Sequence, residues 1–180
     1  MVWSKAGTTT LASAGDDLDI TSMTASKFNQ YLSHALDNGS NIGTTLTFDG
    51  VGGTYYAQRT SASGAADVTL TSRANLLLRE QIKDQFEVGY FINIDTEEKL
   101  VINFDISNSA TGAGTAPSRR ELVGKFVQSA QVTQITNTND QAGSFDTSSN
   151  LSALGSDGVE SLNVQDGAVY YETDTNKSYV

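Results

Sequence analysis

The residues in this sequence that could do acid–base or nucleophilic chemistry are few and scattered. His34 is the only histidine, so a Ser-His-Asp triad would have no other base, and its neighbours YLSHALD show neither a nucleophile elbow nor a metal-ligand spacing. A glycosidase needs only two carboxylates, and 21 acidic residues are present, but nothing in the sequence pairs two of them within an aromatic cleft. We therefore expect no enzymatic activity. Glycoside processing remains the catalytic alternative.

An acidic run near the N-terminus could attract a metal ion. GDDLDI carries Asp16, Asp17 and Asp19, and Ca²⁺ prefers such oxygen ligands. The full EF-hand loop pattern is absent, and in a strand two of the three side chains would point to opposite faces. The run is therefore interpreted as a polar turn that opens a strand, and we expect neither a metal nor a cofactor.

The stretch GTYYAQR is the clearest candidate for ligand binding. Tyr55, Tyr56 and Arg59 place two aromatic rings and a guanidinium just after a Gly-rich turn, where they could stack on sugar rings. The alternative is a strand with one ring in the core and the other at an interface. The first interpretation predicts a glycan-binding site, and the second a structural role.

A group of charged residues suggests contact between subunits. SRRELVGK gathers Arg119, Arg120, Glu121 and Lys125 in an otherwise acidic chain. The planar guanidinium of arginine pairs with a carboxylate in two places at once, and arginine is enriched at interfaces. The group could set the register between identical subunits, or it could form ion pairs within one chain.

Composition excludes several classes of partner. The chain has 180 residues, a net charge of −10 and no cysteine. Binding to nucleic acid or to an anionic membrane surface needs clustered basic residues, and 11 basic residues are scattered among the acidic ones. No stretch approaches the length of a membrane span, and disulfides are impossible. We expect no nucleic-acid partner and no membrane insertion.

The segment FEVGYFINIDTEEKLVINFDIS gives the strongest structural prediction. Apolar and polar residues alternate in two runs joined by a short polar turn, a pattern typical of a β-hairpin with one buried face. The face expected to be buried consists of Phe86, Val88, Tyr90, Ile92, Ile94, Leu100, Ile102, Phe104 and Ile106. Phe91 breaks the pattern on the polar face, which suggests that this face too is partly covered.

Further short alternating runs with Gly-rich turns between them favour an antiparallel sandwich or barrel. They are TTLTFDG, ADVTLTS, ELVGKFV, QVTQITN and NLSALG. The stretch ASKFNQYLSHALDNG is ambiguous. A helix with Thr24 as its N-cap and Gly39 as its C-cap would have apolar residues at helical spacing, but a strand is the alternative. These residues are Phe28, Tyr31, Leu32, Ala35 and Leu36.

The last residues differ in character from the rest. After Gly155 the chain becomes polar and turn-rich, and GAVYYETDTNKSYV then predicts a small hairpin carrying Tyr170, Tyr171 and Tyr179. A lone two-stranded hairpin is marginal in water, so it must rest on another surface. We expect a sandwich over residues 1–155, and a linker with a hairpin over residues 156–180. The sequence stops within the second strand of this hairpin, which suggests a truncated end.

Two sets of residues resemble proteins of tailed phages. GxVYYxTDTNKxYV resembles a hairpin motif near the C-termini of tail and capsid-associated proteins, although it ends here before the Trp-containing strand that usually follows. LTFDGVGGTYYAQRTSASGA, FEVGYFINIDTEEKLVINF and TGAGTAPSRRELVGKF look like the jelly-roll domains that serve as appendage or decoration modules. The resemblance implies a jelly-roll β-sandwich, a role in the virion and a homotrimer or ring, and it favours the strand for the ambiguous stretch.

Together these observations predict an all-β protein, an antiparallel jelly-roll sandwich with a short C-terminal extension. The expected function is that of a non-enzymatic virion component at the capsid surface or on a tail appendage. The expected partners are further copies of the chain, most simply in a trimer, and other virion proteins. The subunit interface is expected at Arg119, Arg120, Glu121, Tyr170, Tyr171 and Tyr179. A module that binds a cell-surface glycan is the alternative.

Overall fold

The computed structural model describes residues 2–108, 112–158, 170–172 and 177–179, and within these ranges the chain forms strands and no helix. The strands are β1 (Ser4–Thr10), β2 (Asp17–Ile20), β3 (Phe28–Ala35), β4 (Ile42–Phe48), β5 (Tyr56–Ala62), β6 (Val68–Arg73), β7 (Leu76–Ile82), β8 (Gln85–Ile92), β9 (Lys99–Ser107), β10 (Ser118–Phe126), β11 (Ile135–Thr138), β12 (Asn150–Ser156), β13 (Tyr170–Glu172) and β14 (Lys177–Tyr179). All paired strands are antiparallel.

Two sheets pack face to face as a jelly-roll β-sandwich, which confirms the predicted fold class. One sheet contains the order β1-β12-β3-β8, and the other has the order β2-β11-β4-β7. These two four-stranded orders are the double Greek key of a jelly roll. Two insertions, β5-β6 and β9-β10, extend the first sheet to the order β1-β12-β3-β8-β9-β10-β5-β6. The large sheet is therefore twice as wide as the small one.

The ambiguous stretch is a strand, and its pairing explains why. β3 lies between β12 and β8 and pairs with both along its whole length. Local helical spacing is a weak preference that tertiary pairing overrides. Alternate residues of β3 share its inward face, whereas a helix would have placed them on several faces. The inward residues are Asn29, Tyr31, Ser33 and Ala35.

The predicted hairpin is confirmed as β8 and β9, but the prediction of its buried face is wrong. The inward residues are Gln85, Glu87, Gly89, Phe91, Lys99, Val101, Asn103, Asp105 and Ser107. The small sheet covers this mostly polar face, where Glu87 accepts a hydrogen bond from Asn137 and Asn103 accepts one from Tyr31. The apolar face, expected to be buried, is turned to solvent. Phe91, which breaks the polar pattern, is indeed covered.

The apolar part of the core includes an aromatic cluster between the two sheets. The ring of Phe48 lies 4.9 Å from that of Phe91 and 5.5 Å from that of Phe126, measured between centroids. Tyr56 stacks on Phe126 at 4.8 Å. Such offset and tilted pairs add to the free energy gained by burying apolar area. The cluster holds the small sheet to β5, β8 and β10 of the large one.

Gly89 makes room for the largest side chain of the polar half of the core. Tyr31 pairs directly with Gly89 in the register of β3 and β8, and Gly89 in turn pairs with Asn103 of β9. The Tyr31 ring lies across the glycine, and its hydroxyl donates a hydrogen bond of 2.7 Å to Asn103 Oδ1. A β-carbon at position 89 would lie 2.0 Å from Tyr31 Cζ.

Gly89→Ala is therefore expected to destabilise the protein by about 1–3 kcal/mol, the usual cost of overpacking a core. The measurement is the urea midpoint of unfolding. Gly114→Ala is the matched control, because a β-carbon there would meet nothing within 4 Å. Equal midpoints for the two variants would contradict the close contact between Tyr31 and Gly89.

The C-terminal hairpin is present as the pairing of β13 with β14. Its register places Tyr170 opposite Tyr179 and Glu172 opposite Lys177. β12, the last strand of the sandwich, ends at Ser156. Most of the predicted linker lies outside the described residues, so the predicted division at residue 155 stays a prediction.

Candidate functional site

The outward surface of the large sheet is apolar along β8 and β9, and it reaches β10 at Val123. We call this surface the outer apolar face. Its most exposed large apolar side chains have exposed fractions of 39–60% and are Phe86, Tyr90, Leu100, Ile102, Phe104, Ile106, Val123 and Val127. Because residues two apart in a strand share a face, the alternation of β8 and β9 produces this surface directly.

The strand register places these side chains in adjacent rows. Tyr90 is opposite Ile102, which is opposite Val123 of β10. Phe86 is likewise opposite Ile106. Directly opposed residues lie within about 4.5–5.5 Å at their β-carbons. The apolar side chains therefore form one continuous surface rather than isolated exposed residues.

Charged residues border the outer apolar face along β10. Arg119 and Glu121 form an ion pair of 3.8 Å, in which their side chains remain 58% and 55% exposed. Lys125 pairs with Glu98 at 2.8 Å. The register places Glu121 beside Phe104. An apolar centre with a charged rim is the usual anatomy of a protein–protein contact.

A depression of about 400 Å³ lies at one end of the outer apolar face. Its lining side chains are almost entirely apolar and include Trp3, Phe28, Tyr90, Ile92, Leu100 and Ile102. Trp3 packs edge-to-face on Tyr90, with the ring centroids 6.5 Å apart, and is 36% exposed. The N-terminal segment thus contributes its tryptophan to this surface.

The inward face of the same strands carries a buried polar network. We call it the inner polar cluster, and its members are Tyr31, Ser33, Thr44, Gln85, Glu87, Asn103, Asp105 and Asn137. Asn137, which belongs to β11 of the small sheet, donates hydrogen bonds to Glu87 Oε2 at 2.9 Å and to Ser33 Oγ at 3.1 Å. The cluster therefore connects the two sheets by directional bonds.

Glu87 is buried, and no cation of the residues that the structure describes forms an ion pair with it. Its Oε1 also accepts a hydrogen bond from Gln85. Burial, and secondarily the nearby carboxyl of Asp105, raises the pKa of Glu87 to about 8, although hydrogen bonds from Thr44, Asn137 and Ser33 oppose the rise. Glu87 is consequently protonated at neutral pH. Burial also raises the pKa of Tyr31, and the nearby carboxyls of Glu87 and Asp105 raise it further.

Asp105 lies between two arginines of neighbouring strands. Arg79 Nη1 is 3.5 Å from Asp105 Oδ1, and Arg120 donates a hydrogen bond of 2.9 Å to the Leu78 carbonyl. Burial raises the pKa of Asp105 to about 7, and the charges of Arg79 and Arg120 oppose this rise. Since Glu87 and Asp105 are both inaccessible to solvent, the pair has a structural role within the fold.

The three residues predicted to bind a glycan are not brought together. Tyr55 and Arg59 are exposed on the outward side, whereas Tyr56 is buried in the aromatic cluster. The Tyr56 hydroxyl accepts a hydrogen bond from the Phe48 amide at 2.9 Å and donates one to the Val51 carbonyl at 3.0 Å. Burial raises the pKa of Tyr56 to about 12. One ring in the core and one outside is the arrangement that the structural alternative predicts.

The predicted interface residues are also divided between the two faces. Arg119 and Glu121 are exposed at the rim of the outer apolar face, whereas Arg120 points inward to the inner polar cluster. The side chains of Tyr170, Tyr171 and Tyr179 lie outside what the structure describes. Sequence reasoning missed the outer apolar face itself, because it assigned those side chains to the core.

The acidic N-terminal run does not form a metal site. Asp19 Oδ1 accepts hydrogen bonds from Thr136 at 2.8 Å and Gln134 at 3.1 Å, and Asp17 accepts one from Thr138. Among the residues that the structure describes, no group of three or more His, Asp or Glu side chains could hold a metal ion. The same part of the chain contains no helix long and apolar enough to span a membrane.

Fold and site together define a jelly-roll β-sandwich whose wide sheet presents an apolar face to solvent. No protein-family model matches the sequence, and no curated protein is significantly similar to it.

Proposed function

We propose that the protein is a non-enzymatic structural component of a tailed-phage virion, at the capsid surface or on a tail appendage, and that it self-assembles through the outer apolar face. The observation that carries the assembly part is the continuous exposed apolar surface of β8, β9 and β10. Burying it would remove apolar area from water, which is the main favourable contribution to association.

The size of the surface supports a stable contact. Large side chains offer roughly 150–250 Å² each, so exposed fractions of 39–60% leave on the order of 600 Å² of apolar surface. The largest patch on a soluble monomer is typically about 300–600 Å². A standard interface buries about 800 Å² per partner. The outer apolar face supplies a large part of that area.

A second copy of the chain is the occupant that the charges favour. Arg119 and Glu121 expose both signs at the rim of the same face. In a contact related by a two-fold axis, Arg119 of one copy can meet Glu121 of the other copy, and Glu121 of the first can meet Arg119 of the second. Face-to-face contact of this kind gives a dimer, whereas the resemblance favours a trimer. Both arrangements bury the outer apolar face.

The assignment to a virion has a different basis. It rests on the resemblance of residues 167–180 to the phage hairpin motif and on the jelly-roll topology, an architecture used by viral capsid domains. Lectins and cupins use the same architecture, and a fold alone does not imply a function. Peptide mass spectrometry of purified particles of the encoding phage tests this part directly.

Native mass of the purified chain tests the assembly. We expect a dimer or a trimer at micromolar concentration that dissociates on dilution. Sedimentation equilibrium gives the copy number without assumptions about shape. A monomer throughout the accessible concentration range would contradict self-assembly through the outer apolar face.

A further inference from the structure

The depression at the end of the outer apolar face is the strongest candidate for a second binding surface. It is lined by the aromatic rings of Trp3, Phe28 and Tyr90 together with aliphatic side chains, whereas the depressions beside Phe86 and beside Val123 also have charged side chains in their linings. Trp3 is held over it by the edge-to-face contact with Tyr90. A concave apolar site with aromatic walls suits a small aromatic segment better than a second flat sheet.

The course of the chain brings its own C-terminal part to this place. After β12 ends, the Lys27 amide donates a hydrogen bond of 2.9 Å to Asp157 Oδ1. A β-carbon at Gly158 would lie 3.5 Å from Phe28 Cε2. The polypeptide therefore leaves the sandwich beside Phe28, which lines the depression.

We propose that the hairpin of β13 and β14 docks into the depression of its own chain. Residues 159–169 connect Gly158 to the hairpin, and at about 3.3–3.6 Å per residue they can span roughly 35–40 Å. The depression begins beside Gly158, so the connection is more than long enough. A short tether gives a local concentration on the order of millimolar, which favours the chain's own hairpin over that of a neighbour.

The chemistry of the hairpin fits the depression. A two-stranded hairpin by itself is marginally stable in water, yet β13 and β14 are paired. The register pairs Tyr170 with Tyr179. Tyrosine suits a surface that is apolar on one side and wet on the other. Docking would leave Phe86, Phe104 and Ile106 free for contact between copies.

Trp3 provides the test, because it is the only tryptophan and it lines the depression. We compare acrylamide quenching of its fluorescence in the full chain and in the full-length double variant Tyr170→Ser/Tyr179→Ser. Docking predicts a higher quenching constant in the double variant, because loss of the two tyrosine rings would uncover Trp3. Tyr55→Ser, an exposed tyrosine that does not line the depression, is the control and should leave quenching unchanged.

Hydrogen exchange of the hairpin amides is the second measurement. The amides of β13 and β14 should be protected in the full chain and should lose protection in Leu100→Asp, which places a charge in the depression. Unchanged quenching in the double variant together with unprotected hairpin amides in the parent chain overturns the proposal. Protection that persists in Leu100→Asp also overturns it, because the hairpin then rests elsewhere.

The dependence on concentration distinguishes this inference from the assembly proposal. Docking within one chain predicts the same amide protection at every protein concentration, whatever the native mass. Protection that falls on dilution in step with dissociation means that the hairpin of a neighbouring copy is bound, which overturns docking within the chain. A monomeric protein with a protected hairpin would leave the docking proposal intact and remove the assembly proposal.

Discussion

Phe104→Lys is expected to weaken self-association by roughly 100-fold or more, because taking a charge out of water into the contact costs several kcal/mol and each 1.4 kcal/mol is a factor of about ten. Phe104 lies on the outer apolar face, clear of the depression, and is opposite Glu121 in the register. Within the free subunit the new lysine therefore meets a carboxylate across the strand. The fold is expected to persist.

The sign of the introduced charge makes this substitution informative. The chain has a net charge of −10, so two copies repel one another at long range. A lysine reduces this net charge and weakens the general repulsion. Weaker association of Phe104→Lys can then be attributed to the contact itself and not to overall electrostatics.

Val68→Lys is the matched control. Val68 is an exposed apolar residue of β6, and it pairs with the inward-facing Thr60, so it is not part of the outer apolar face. Val68→Lys adds the same charge and should leave the dissociation constant of self-association unchanged. Sedimentation equilibrium of the three proteins gives the comparison. Equal dissociation constants for Phe104→Lys and the parent chain would show that association uses another surface.

The free energy of unfolding is expected to fall by a few kcal/mol between about pH 5 and pH 8, since one pKa unit corresponds to about 1.4 kcal/mol. The folded protein holds a proton on Glu87 with a pKa of about 8 and one on Asp105 with a pKa of about 7. The unfolded chain releases both protons at ordinary carboxyl pKa values. The stabilisation is therefore complete below the ordinary carboxyl pKa and is lost as the pH rises through the folded values. Urea unfolding at several pH values measures it.

Glu87→Gln tests whether Glu87 causes much of this dependence. An amide has nearly the shape of the neutral carboxyl and carries no proton to lose, so the variant is expected to show a clearly shallower fall in stability with pH. Glu98→Gln, which changes the partly exposed partner of Lys125, should keep the slope of the parent chain. A slope for Glu87→Gln as steep as that of the parent would exclude Glu87 as the titrating group.

The sequence predicts where strands occur better than it predicts which face of each strand is buried. Two alternating runs joined by DTEEK predict the hairpin of β8 and β9, because the side-chain period of a strand is two residues. Alternation separates two faces but does not say which of them the second sheet covers. Phe91 was the available signal: an aromatic residue among polar ones indicates that the polar face is covered. Val101 on the same face gives a similar indication.

Other features could not be predicted because their causes are not local. β1 consists of SKAGTTT, a polar run that becomes a strand by pairing with β12 more than a hundred residues away. β7 has three consecutive leucines and shows no clear alternation. The sequence left open whether Tyr55 and Tyr56 share a site, and the structure places Tyr56 in the core and Tyr55 outside. The inner polar cluster joins five strands, so its pairings do not follow from spacing in the sequence.

In β8 and β9 the face opposite to the predicted one is buried. The residues available for contact with other copies therefore alternate along each strand with the residues that specify the fold. Even-numbered positions such as Phe104 and Ile106 face outward, and the odd-numbered neighbours Asn103 and Asp105 hold the interior. Natural variation can then exchange the outward set, and so change which copies or neighbours adhere, without rearranging a single interior contact. A lineage could diversify its quaternary arrangement quickly on a conserved subunit.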